Sequence, residues 1–194
     1  NSLGSHATGQ ENWDEIVAAA KEEGGVSVYT ASGRIAKLVD HFEALYPGIK
    51  LTVYDLGSVK TIEKTVREQD AGIFTADVIT TGNHVWDQKE TMSHIEKENR
   101  LLRPKNLFEP SPGKGFGIFT AKNEMRVGVL NLMGNVFMKK CEDVFEAAEK
   151  FMKKYKLKED YDFLLVDFHG EITREKSAMG HFFDGKATLV VGTH

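Results

Sequence analysis

Apolar positions along the chain switch repeatedly between a helical period and short β-rich runs. Trp13, Ile16, Val17 and Ala20 recur at helical spacing, and Gly24-Gly25 ends that segment. Val26 to Thr30 predicts a strand, and Ser32-Gly33 then opens a helix whose apolar face is Ile35, Leu38, Val39, Phe42 and Leu45. Pro47-Gly48 stops that helix. Ile49 to Tyr54 predicts a second strand, Gly57-Ser58 a helix carrying Ile62 and Val66, and Ala76 to Thr80 a third strand. A loop from Asn83 leads into a helix expected from about Trp86 to Lys97. Arg103 to Gly117 holds three of the four prolines and reads as loop. Phe116 to Thr120 and Arg126 to Leu130 predict a hairpin around Lys122-Asn123-Glu124. Val144, Phe145, Ala148, Phe151 and Met152 mark an amphipathic helix with lysines in its last turn. Phe163 to Asp167, Thr173 to Phe182 and Ala187 to Val191 predict strand, helix and strand.

This alternation predicts an α/β layered fold, with Rossmann-like βαβ winding, a mostly parallel sheet and an inserted hairpin. Residues 11–194 read as a single α/β domain, with halves at 11–79 and 80–194. Asn1 to Gln10, small and polar without periodicity, read as a disordered lead or cloning remnant. With 194 residues and 41% hydrophobic content, the chain is long enough for a packed core. The single cysteine, Cys141, excludes an internal disulfide. A net charge of −4 argues against a nucleic-acid partner. No apolar run is long enough for a membrane span and no signal peptide opens the chain, so a cytoplasmic recombinant product is expected.

Ligands of open α/β sheets collect at the carboxyl ends of strands. The residues there are Thr30 to Gly33, Asp55, Gly57 and Ser58, then Gly82-Asn83-His84, Asn131, Asp167 and His169, and Gly192-Thr193-His194. Ser32, Gly33 and Ser58 read first as N-cap residues and second as a weak anion or phosphate site. His41, His94 and His181 fall on helical faces and carry no functional reading.

Gly82-Asn83-His84, Asp167-Phe168-His169-Gly170-Glu171 and Gly192-Thr193-His194 together resemble the binuclear metallophosphoesterases of the calcineurin-like superfamily. The likeness covers about residues 76 to 194, and it is closest to the bacterial branch with 2′,3′-cyclic-nucleotide phosphodiesterase activity. Leu101-Leu102-Arg103-Pro104, Pro112-Gly113-Lys114-Gly115 and Asn131-Leu132-Met133-Gly134 agree with it. The resemblance implies a divalent metal (manganese, iron or zinc) held by Asn83, His169 and His194. It also implies that His84 is the general acid or the phosphate-contacting group near the leaving oxygen, with Asn131 close by. The family's opening metal-binding Asp, its bridging Glu and a histidine beyond the Gly-Thr-His motif have no counterpart here, so an incomplete binuclear site is expected.

Residues about 11 to 80 resemble the N-terminal lobe of periplasmic, iron-type ABC substrate-binding proteins. The motifs are Val28-Tyr29-Thr30-Ala31-Ser32-Gly33-Arg34, Phe42-Glu43-Ala44-Leu45-Tyr46-Pro47-Gly48 and Arg67-Glu68-Gln69-Asp70-Ala71-Gly72. The two likenesses meet at Ala76 to Thr80. The expectation is therefore an engineered or recombined fragment chimera, a folded scaffold with no intact native activity. The alternatives are a residual metal-dependent phosphodiesterase and an anion-binding module. Truncated faces on either half leave room for a homodimer.

Overall fold

The structure, a computed structural model, describes residues 13–194 except 31–32, 74–75, 88 and 122–123. The lead expected over residues 1–10 and the N-cap expected at Ser32 lie outside the described residues. By its internal contacts the chain forms two compact units, 1–77 and 78–194.

In the first unit, α1 (Trp13–Glu23) leads into β1 (Gly25–Thr30), which pairs in parallel with β2 (Lys50–Asp55). A 3-10 turn over Ile35–Leu38 and α2 (Val39–Leu45) form the crossover, and α3 (Ser58–Asp70) follows. Parallel pairing at Tyr29↔Tyr54 stacks the two rings with centroids 4.7 Å apart. The Tyr29 hydroxyl donates to Glu68 on α3 at 2.9 Å. Leu38 and Leu45, expected on a buried helix face, stay exposed, while Ile49 is buried. Among the described residues the ladder of this unit has two strands, a face too narrow to cover the whole helix.

The second unit carries the larger core. A short parallel pair, β3 (Ile79–Thr80) and β4 (Leu101–Leu102), flanks α4 (Lys89–Ile95). A four-stranded sheet follows in the order β5 (Phe116–Thr120), β6 (Arg126–Met133), β7 (Phe163–His169) and β8 (Leu189–Thr193). The β5–β6 pair is the antiparallel hairpin the sequence predicts, and β6–β7–β8 are parallel. The crossovers are α5 (Val144–Lys154) and α6 (Thr173–Phe182).

Helix α5 shows how directly the local sequence sets structure here. Asp143 caps it, accepting from the Glu146 backbone N–H at 2.8 Å, and Lys153 and Lys154 sit in the last turn, where cations favour the helix dipole. Its apolar face, Val144, Ala147, Ala148 and Phe151, is buried against Leu130, Leu132, Leu164, Val166 and Phe168 of the sheet, with Met179 and Phe183. Phe116, Phe151, Tyr155 and Tyr161 form an aromatic cluster on the same core.

Two elements depart from expectation. The helix expected from Trp86 begins only at Lys89, because the Val85 and Asp87 amides close turns onto Gly82 and His84. The third strand is two residues rather than five, since only Ile79 and Thr80 find ladder partners, in the unforeseen β4. Among the described residues no helix is long and apolar enough to cross a membrane.

Candidate active site

The register of the large sheet aligns its carboxyl ends, since Met133 pairs with His169 and His169 with Thr193. The loop after β3 joins this edge through one buried side chain. Asn131, in the middle of β6, donates from its amide to the Thr81 carbonyl at 2.7 Å and to the Leu102 carbonyl at 3.1 Å. Thr81 itself bonds Leu102 through both its N–H and its hydroxyl. The next residues, Gly82 and Asn83, are thereby held against the end of β7.

There Asn83 and His169 meet. Asn83 Oδ1 lies 3.1 Å from His169 Nε2. Gly82 is required for this approach, because a Cβ at that position would sit 2.3 Å from His169 Nε2. His169 Nδ1 lies 3.3 Å from the Thr193 hydroxyl, which donates to Asp167 Oδ1 at 2.8 Å. Burial, helped by the neighbouring His194, Lys176 and His84, pushes the His169 imidazole down to about 4. It is therefore neutral at physiological pH and free to act as a ligand. Burial also raises the Asp167 carboxyl, against hydrogen bonds from Thr80 and Thr193.

The remaining residues singled out by sequence surround this pair. The His194 ring lies parallel to that of His169, with centroids 6.3 Å apart, and its Nδ1 is 3.4 Å from Glu171. His84 is exposed, and its Nδ1 lies 2.5 Å from Asp87 Oδ2. Asp87 also accepts from Lys139 at 3.0 Å. The hydrogen bond from His84, then that from Lys139, holds the Asp87 carboxyl below its ordinary range. Sequence reading assigned nothing to Thr193, Asp87, Lys139 or Gly82, although all but Lys139 lie within a motif it singled out. Only Lys139, which follows a turn, gave no signal.

The Ser58 side chain, like Ser32, lies outside the described residues. A Cβ on Gly33 would sit 3.0 Å from Asp55 Oδ2, so Gly33 faces a carboxylate. Among the described residues, no three His, Cys, Asp or Glu side chains converge as a preformed metal cluster. The Asn83–His169 pair is instead an amide oxygen and an imidazole nitrogen meeting at a glycine.

A family model described as YmdB-like protein matches residues 60–194. The chain is 41% identical over 119 residues to the 2′,3′-cyclic-nucleotide 2′-phosphodiesterase of Bacillus subtilis (strain 168), covering 61% of this chain and 44% of that protein. The chain thus matches less than half the length of that curated relative. The crystal structure of a hypothetical protein from Thermus thermophilus superposes with a TM-score of 0.60 at 28% identity, over 87% of this chain and 65% of that one. That of a novel phosphatase from Mycoplasma pneumoniae superposes with a TM-score of 0.59 at 29% identity, over 87% of this chain and 62% of that one.

These matches overturn the expectation of an engineered chimera serving as an inactive scaffold. The family match begins in α3, inside the supposed binding-protein half, and runs through the supposed junction at Ala76 to Thr80 without a break. The structural match covers more of the chain than residues 60–194 make up, so it enters the first unit as well. The binding-protein likeness of residues 11–80 gains no support. It rested on short motifs such as Val28 to Arg34 and Phe42 to Gly48, each of them loosely specific. The chain belongs to the YmdB-like protein family.

Proposed function

We propose that the second unit carries the site of a metal-dependent phosphodiesterase acting on 2′,3′-cyclic nucleotides, with Asn83, His169 and His194 as metal ligands and His84 as general acid. The observation that supports this reading is the facing of Asn83 Oδ1 and His169 Nε2 at 3.1 Å. With Asp167 ionised, the Thr193 hydroxyl directs its only proton to the carboxylate and can only accept from His169 Nδ1–H. The Nε2 lone pair then points at another acceptor, the amide oxygen. A divalent cation relieves that opposition, and a 180° rotation of the Asn83 amide is the alternative way to relieve it. Oxygen and imidazole donors suit manganese, iron or zinc.

A bound divalent ion supplies Lewis-acid polarisation of the phosphoryl group and an acidified water. The chain's own residues do the rest. Asp167 and Thr193 fix the His169 tautomer from behind, as outer partners of ligating histidines do. Asp87 accepts at His84 Nδ1, which leaves Nε2 to hold a proton for the departing oxygen. The hydrogen bond from His84 itself, and then that from Lys139, favours the ionised form of Asp87.

The test is calorimetric titration of metal-free protein with Mn²⁺, beside hydrolysis of 2′,3′-cyclic AMP. Binding lost in His169→Ala, together with metal-dependent hydrolysis, is the expected result. Failure of the parent protein to bind Mn²⁺ would refute the ligand assignment and favour the rotated amide. Hydrolysis that persists in chelator would refute the metal dependence.

A further inference from the structure

The segment after β6 leaves the same sheet edge as the Asn83–His169 pair and holds a large apolar side chain that the core does not take up. Phe137 is 84% exposed, the most exposed large apolar residue among those described, and its backbone has φ of +58°. For a non-glycine aromatic this left-handed conformation is strained and persists only where the surroundings enforce it. The surroundings here are specific. The Gly134 N–H donates to the His169 carbonyl at 2.8 Å, which ties the start of the segment to β7. The buried carboxylate of Glu175 then accepts from the Asn135 and Val136 backbone N–H groups at 2.7 and 3.4 Å. Asn135 is locked further: its amide donates to the Glu142 carbonyl and its oxygen accepts from the Val144 N–H, both at 3.0 Å. On the other side of Phe137, Lys139 reaches Asp87, the partner of His84.

An exposed aromatic on a segment pinned at both ends has no folding purpose, since it buries nothing. One anchor is the ligand-bearing strand end and the other is the turn of the proposed acid. We propose that Phe137 is a base-stacking residue that selects phosphodiesters bearing a nucleobase. This inference rests on the phosphodiester reading of the site and adds what recognises the part of the substrate that does not react. Stacking of a base on an aromatic side chain tolerates any base identity, so the selectivity is for nucleotides over base-free phosphates rather than for one base. The pinned backbone lowers the ordering cost of binding, which is why the strain is tolerated.

The experiment measures affinity and turnover separately on the whole chain with Mn²⁺ present. Calorimetry gives Kd for 2′,3′-cyclic AMP and for inorganic phosphate in the parent, Phe137→Ala and Phe137→Trp, and hydrolysis gives kcat and KM. The expected result is a rise of about tenfold in the cyclic nucleotide Kd for Phe137→Ala, the equivalent of about 1.4 kcal/mol. Phosphate affinity stays unchanged, and Phe137→Trp restores nucleotide affinity. An unchanged nucleotide Kd in Phe137→Ala would overturn the inference, and so would equal losses for nucleotide and phosphate. A shift in sedimentation from dimer to monomer with nucleotide Kd unchanged would overturn it in favour of a second copy of the chain. Phe137-dependent nucleotide binding without hydrolysis would uphold the stacking role and refute the phosphodiesterase reading. Hydrolysis insensitive to Phe137 would do the reverse.

Discussion

Replacing Asn131 by Asp tests the side chain that joins the Asn83 loop to the sheet, and does so with almost no change of shape. Asn131 is fully buried, and its amide donates to two carbonyls, Thr81 and Leu102. A carboxylate there would turn a double donor into an acceptor aimed at two other acceptors. It would also sit opposite Asp167, its register partner, whose own carboxyl is already raised by burial. The new group must therefore fold protonated. As a neutral acid it donates one hydrogen bond where the amide donated two, a loss of about 1 kcal/mol. Holding its proton costs about 1.4 kcal/mol for each pH unit above its unfolded value of about 3.9. The sign follows from proton counting: the folded state binds one proton more than the unfolded state, so stability falls as pH rises. The total is about 2.5 kcal/mol at pH 5 and about 5 kcal/mol at pH 7, enough to threaten a domain of ordinary stability. Urea unfolding at pH 5, 6 and 7, followed by Trp86 fluorescence in a Trp13→Phe background, reads the difference from the parent. A deficit that fails to grow with pH would refute the reasoning, because it would show that position 131 accepts a charge or that its amide bonds are dispensable.

Two further outcomes are expected. Gly82→Ala forces a methyl within 2.3 Å of the His169 ring, so the ring must move; the proposed hydrolysis of 2′,3′-cyclic AMP should then fall about 10²-fold, the scale of a displacement of about 1 Å, and unchanged turnover in a parent shown to hydrolyse it would contradict the close approach. The hydroxyl of Tyr161, a buried residue, is pushed up to about 12, chiefly by burial, so the stability tied to its neutral form is complete below about pH 10 and lost between 10 and 12. Tyr161→Phe should therefore gain about 2 kcal/mol on the parent between pH 9 and pH 11.5 in urea unfolding; parallel pH profiles would show that the phenol ionises freely when folded.

How much of this was legible beforehand differs between the two units for a physical reason. In the second unit the local signals agree with the packing. The Asp143 cap, the lysines after Met152 and the apolar stripe of Val144, Ala148 and Phe151 specify α5, and Thr173–Phe182 forms the helix its pattern predicts. In the first unit the same kind of pattern misled. The apolar stripe from Ile35 to Leu45 describes a helix but not what covers it, and Leu38 and Leu45 are exposed. The motifs between Val28 and Gly72 are short and loosely specific, so reading one particular parent from them produced the mistaken chimera.

By itself the sequence determined the α/β class, the parallel strands and the set of polar residues that gather at the strand ends, because these follow from periodicity and short-range caps. It also carried the family motifs that contain Asn83, His84, His169 and His194. Only the tertiary structure decided which of these meet. The β6–β7–β8 register places His169 between Asn83 and Thr193, Asn131 reaches across from β6 to Thr81, and Gly82 allows the approach. Each of those contacts joins residues at least 24 positions apart. Their geometry is set by sheet pairing and core packing, which no local pattern encodes.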